Sequence, residues 1–147
     1  MKAEIRASLL GFLQENYPEI ILLFSERGTL TQYLDDRMNF VEPLIDELIQ
    51  QGDQLQEIID LSIAELTSSF GPSKFNYLKQ VMAEEFPQEY QQFEQVGVLR
   101  SELTNMIVAC SNAFDAFEFS EENLDDHFMR HMVIAEMQDY LISRSQN

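Results

Sequence analysis

The chain has no tryptophan, a single cysteine and only nine basic side chains in 147 residues. Each shortage excludes something. One cysteine, Cys110, forbids an intramolecular disulfide and fits a reducing compartment. Five glycines and four prolines are too few for a strand-rich fold with many turns. Scattered as they are, the glycines build neither a GxGxxG fingerprint nor a phosphate-cradling loop. Apolar runs are short as well. Ile20–Phe24 is five residues, far from the ~20 a membrane-spanning helix needs. The segment from Met1 to Arg6 reads as a charged amphipathic helix rather than a signal peptide, so a cytoplasmic location is expected.

The shortage of bases is set against twenty-six acids, for a net charge of −17 and an isoelectric point near 4.2. Such a surface repels phosphate backbones and anionic lipid heads. Direct nucleic-acid binding and membrane binding are therefore not expected; a protein partner is, and the charge leaves open a cationic protein, divalent cations or simple solubility as its use. Two stretches, between Arg37 and Lys74 and between Arg100 and Arg130, hold acids and no base. A face that spaced such carboxylates like phosphates would mimic DNA and occupy the groove of a DNA-binding protein.

Apolar material is plentiful: 45% hydrophobic and 11% aromatic residues, too much for a disordered chain. Helical spacing and breakers predict an all-α fold, one domain over 1–147, with six to eight helices and no sheet. A first helix over 2–16 is stopped by Pro18, and a short one over 19–27 ends at Gly28. Thr29 and Gln32 suggest a capping box for a helix over 30–51 that kinks or breaks at Pro43. Asp53 and Gln56 suggest another, with Leu55, Ile59, Ile63, Leu66 and Phe70 as its stripe. Ser73 caps a helix ended by Pro87, a short helix closes at Gly97, and another runs over 98–117. A last helix is expected from Ser120 to about Ser143. No internal repeat, low-complexity tract or linker is legible.

Catalytic readings are thin. His127 and His131 lie four residues apart and share a helix face, a spacing that can hold Zn²⁺. The helical metalloprotease motif needs Glu after the first His, where this chain has Phe128, and there is no third His. The two are the only candidate metal ligands, and they support a metal-dependent hydrolase as an alternative to a non-enzymatic protein without cofactor. Cys110 sits on an apolar stripe with no cationic neighbour, the setting of an inert thiol. The pairs Glu84-Glu85, Glu121-Glu122 and Asp125-Asp126 read as solvated faces. Methionines between Met129 and Met137 suit core filling, an adaptable binding face or a homodimer contact.

Six segments occur in order: Leu13-Gln14-Glu15-Asn16-Tyr17-Pro18-Glu19, Tyr33-Leu34-Asp35-Asp36-Arg37, Gly52, Ala64-Glu65-Leu66, Ser73-Lys74-Phe75-Asn76 and Glu84-Glu85-Phe86. The set resembles an uncharacterised domain-of-unknown-function family of small acidic helical proteins from Bacteroides-like bacteria, several of which accompany mobile elements. The resemblance covers roughly residues 9–87. It implies a helical, acidic protein, supplies no activity or catalytic residue, and makes a role in mobile-element biology the expectation.

Overall fold

The computed structural model describes residues 1–146. These form nine α-helices and one 3-10 turn, and no strand occurs among the described residues. The all-α expectation holds, with nine helices in place of six to eight. By its contacts the chain divides into two compact units, Met1–Phe70 and Gly71–Asn147. Each closes around its own buried cluster.

The first unit holds α1 (Lys2–Asn16), α2 (Pro18–Glu26), α3 (Leu30–Gln50) and α4 (Leu55–Thr67). Ile5, Leu9 and Leu13 step by four along α1 and are fully buried. They meet Leu34, Met38, Val41, Ile45 and Leu48 of α3 and Ile58, Ile63 and Leu66 of α4. Pro18 ends α1 and starts α2, where its missing N–H costs nothing. Pro43 does not break α3, which runs through it. Asn39, whose carbonyl Pro43 leaves without a helical donor, is exposed.

The second unit holds α5 (Lys74–Glu85), α6 (Pro87–Gln95), α7 (Leu99–Ala109), α8 (Ser111–Ala116), the 3-10 turn Glu121–Asn123, and α9 (His127–Ser145). Two local events raise the helix count. At Cys110 the backbone departs from helical values (φ −97°, ψ 12°), dividing the expected 98–117 helix into α7 and α8. The last helix starts at His127, not Ser120. Glu118 takes a left-handed turn (φ 51°), and Ser120 with Asn123 forms a capping box on the 3-10 turn alone. The carboxylate of Asp126 then accepts the Met129 N–H at 2.9 Å and caps α9.

The two units repeat one design, which the sequence reading did not find. Leu9, Leu13, Pro18, Phe24, Gly28, Leu30, Leu34, Met38, Val41 and Ile45 correspond, at one constant spacing, to Leu78, Met82, Pro87, Phe93, Gly97, Leu99, Leu103, Ile107, Cys110 and Phe114. The backbone follows the same path. Tyr17 (φ −137°, ψ 55°) and Phe86 (φ −131°, ψ 55°) each donate an N–H to the residue four before at 2.8 Å, and each precedes a helix-starting proline. Gly28 (φ 70°) and Gly97 (φ 78°) close the short helices left-handedly. The next residue, Thr29 or Val98, donates its N–H to Phe24 or Phe93 at 2.9 Å in both. After a longer connection in the second unit the register resumes, with Ile58, Ser62 and Leu66 matching Met129, Val133 and Met137. The packing partners correspond as well: α1 with α2, α3 and α4, and α5 with α6, α7 and α9.

Three expected details differ. Thr29 makes no side-chain cap, and Gln32 instead donates to Asp36 at 2.9 Å, because the backbone of Thr29 is already committed to the glycine turn. The residue before α4 is Gln54, not Asp53, and Gln56 donates to Asp60 at 2.9 Å. The α4 stripe is rotated from the expected one. Leu55 is exposed, while Ile58 and Ser62 point inward, Ser62 being completely buried.

Candidate interaction surface

The two histidines stand at the start of α9, and both side chains are exposed. The core side of this helix is Met129, Val133 and Met137, so His127, Phe128, His131 and Ala135 face outward. The neighbouring Asp126 is engaged as the helix cap. No group of three or more His, Cys, Asp or Glu side chains arranged to hold a metal occurs among the described residues. Met129 and Met137 are fully buried, and Met132 packs against the same cluster, which makes these methionines core.

Cys110 is fully buried, with its sulfur 3.9 Å from the carbonyl of Val133. Burial, helped by the nearby Glu136 carboxylate, pushes its thiol up to about 12. A thiol so placed is protonated and inert at neutral pH.

The three acidic pairs do not converge. Arg130 reaches from α9 to Glu84 at 2.7 Å and Glu85 at 3.2 Å, tying α5 to α9. Glu121 and Glu122 lie on the 3-10 turn, where the Glu122 backbone N–H and the Ser120 hydroxyl hold the Glu122 carboxyl below the usual carboxylate range. Asp125 is exposed and Asp126 caps α9.

Sequence reasoning missed one buried acid. Glu102 on α7 is 9% exposed and accepts the Tyr140 hydroxyl at 2.6 Å. Arg144 pairs with its other oxygen at 2.9 Å and lies over the Phe93 ring, 4.7 Å from its centroid. The arrangement satisfies a buried charge and fixes the C-terminal turns of α9 against α7. The spacing Tyr140–Arg144 on one helix face was the available signal.

Elsewhere the bases are consumed in the same way. Lys2 pairs with Glu42, and Arg6 with Asp35 at 3.2 Å. Arg37 donates to the Leu66 carbonyl at 2.9 Å and covers the Phe40 ring. Four of the nine bases are therefore neutralised inside their own units, and the outward field is set by carboxylates.

Each unit has an open groove. That of the first, about 480 Å³, runs between α1 and α4 past Phe12, Ile59 and Ile63. That of the second, about 640 Å³, lies between α6 and α9 and includes Glu85, Glu89, Phe93 and Arg144. No protein-family model, curated protein or solved structure matches the chain.

Proposed function

We propose that this is a non-enzymatic accessory protein that acts by binding a basic protein partner through its acidic surface. The observation that carries the reading is the fate of the bases. Twenty-six acids face nine bases, and Lys2, Arg6, Arg130 and Arg144 are spent on ion pairs within the units. Each unit therefore carries a net negative helical surface, suited to steering and holding a cationic partner. The resemblance over residues 9–87 supports a role in mobile-element biology, and the single cysteine supports a cytoplasmic setting. A hydrolase built on His127 and His131 has less support, since both rings face solvent and Asp126 is already used as a cap.

The test is recovery of the tagged protein from its native host at low and high salt. A basic protein retained at low salt and released at high salt is the expected result. Release by competing duplex DNA would narrow the partner to a DNA-binding protein whose groove the acidic face enters. Retention independent of salt would defeat the reading.

A further inference from the structure

The internal repeat supplies a control for every surface position, because two helices built on one backbone plan show what the fold itself requires. α2 and α6 occupy the same place in their units, have the same length, and are bounded by the same proline and glycine. Their inward residues agree: Phe24 and Phe93 correspond, as do Ile21 and Tyr90. Their outward residues are opposite in character. α6 presents Gln91 and Gln92 to solvent, as a surface helix does. At the same two positions α2 presents Leu22, 47% exposed, and Leu23, 42% exposed. Ile20 stands where α6 has Glu89. The fold does not need these leucines, since the second unit does without them.

Leu22, Leu23 and Glu26 follow one another at helical spacing and all three are exposed, so the two leucines have an acid one turn after them. Glu26 closes the C-terminal end of α2, where the helix dipole disfavours negative charge. The matching residue of α6 is the neutral Gln95. Arg27, the base that follows, is exposed beyond the helix end. The apolar residues and the terminal acid are thus both local costs to folding, and both suit one kind of partner.

We propose that this face of α2 docks a basic amphipathic helix from another protein, whose apolar anchors cover Leu22 and Leu23 while a Lys or Arg on its flank meets Glu26. The inference rests on the acidic-surface reading and adds the place and the chemistry of contact. Two features favour this occupant over a second copy of the chain. Each copy carries −17, so like charge opposes self-association. Two adjacent exposed leucines match the spaced apolar anchors by which a single amphipathic helix docks.

The test uses the full chain and two labelled synthetic peptides of identical Leu and Lys content. One has its leucines on a single helical face, and the other has them dispersed around the helix. Binding is read by fluorescence anisotropy, and its location by backbone-amide shifts. The one-faced peptide should bind about tenfold more tightly than its isomer, with shifts centred on α2. L22Q/L23Q, which copies the α6 surface, should keep its helicity and erase that preference. Q91L/Q92L should create a second site on α6. If L22Q/L23Q retains the preference, the docking site is wrong, while salt-sensitive binding of both peptides would leave the acidic-surface reading standing. If neither peptide binds at low salt, both readings fail. A dimer in sedimentation that L22Q/L23Q abolishes would assign the face to a second copy and overturn the proposal.

Discussion

Tyr140 donates its hydroxyl to the buried carboxylate of Glu102 across 2.6 Å, joining α9 to α7. A buried carboxylate left short of donors bears its desolvation penalty. Tyr140→Phe keeps the ring and removes the donor, leaving Arg144 as the partner shown on the other oxygen. The expected loss is about 1–3 kcal/mol in urea unfolding. Glu102→Gln in the same background should recover part of it, because an amide is cheaper to bury than a charge. An unchanged midpoint for Tyr140→Phe would show that the carboxylate is served by water instead.

Ser62 and Val133 hold matching positions in the two cores, and both are completely buried. The Ser62 hydroxyl has no hydrogen-bond partner there. Ser62→Ala removes that orphan and adds helix propensity. Stability should rise by about 1 kcal/mol, measured by chemical denaturation of the first-unit transition. A loss of stability would mean that the hydroxyl is bonded.

The ends of most helices were legible because proline and glycine act locally. Pro18, Gly28, Gly52, Pro87 and Gly97 each stand at a helix boundary, whereas Gly11 and Pro43 lie inside α1 and α3. The face each helix buries was less legible. Ser62 is polar by type and core by position, and Phe128 is apolar by type yet 78% exposed. Both are decided by neighbours distant in sequence. The repeat stayed hidden for a related reason. Core positions keep volume and apolarity rather than identity, as Val41 and Cys110 or Ile45 and Phe114 show, while α2 and α6 reverse the polarity of their outer faces. An aromatic–proline step followed by glycine and two spaced leucines was the signal available. At His127 and His131 helical spacing tells that the two share a face, not that this face turns outward.

Two separate clusters predict two folding units. Segments 1–70 and 71–147, expressed separately, should each be helical and melt cooperatively, since neither cluster borrows a residue from the other. At this size the expected stability is about 3–5 kcal/mol each. Circular dichroism and denaturant titration decide the matter. A segment that stays unfolded at every temperature would show that its cluster is insufficient by itself.

Cys110 makes stability depend on alkaline pH. Burial favours the thiol over the thiolate, so the native value, about 12, lies above the ordinary 9.0. The stabilisation is complete below pH ~9 and is lost as pH rises toward 12, at up to about 1.4 kcal/mol per unit. Cys110→Ala should cost about 1–2 kcal/mol at pH 7 through lost packing, and this deficit should shrink between pH 9 and 11. Comparing the two proteins cancels the contributions of the tyrosines. A thiol reagent that labels the native wild type rapidly at pH 8 would contradict the burial on which the argument depends.

Gly28 and Gly97 should answer alike to the same substitution. Both have left-handed backbones, at φ 70° and 78°, and a Cβ added at either meets nothing within 4 Å. The cost of Gly→Ala is then purely conformational, about 1–2 kcal/mol at each site. Gly11 is the contrast. It lies within α1, and a Cβ there also meets nothing within 4 Å, so Gly11→Ala should stabilise by about 0.5–1 kcal/mol. Denaturant midpoints of the three single variants read the signs directly. Equal losses at the two turns with a gain in α1 would confirm that the turns are held by backbone geometry alone. Markedly unequal losses at Gly28 and Gly97 would show that the two turns are not structural equivalents, and the repeat would lose one of its fixed points.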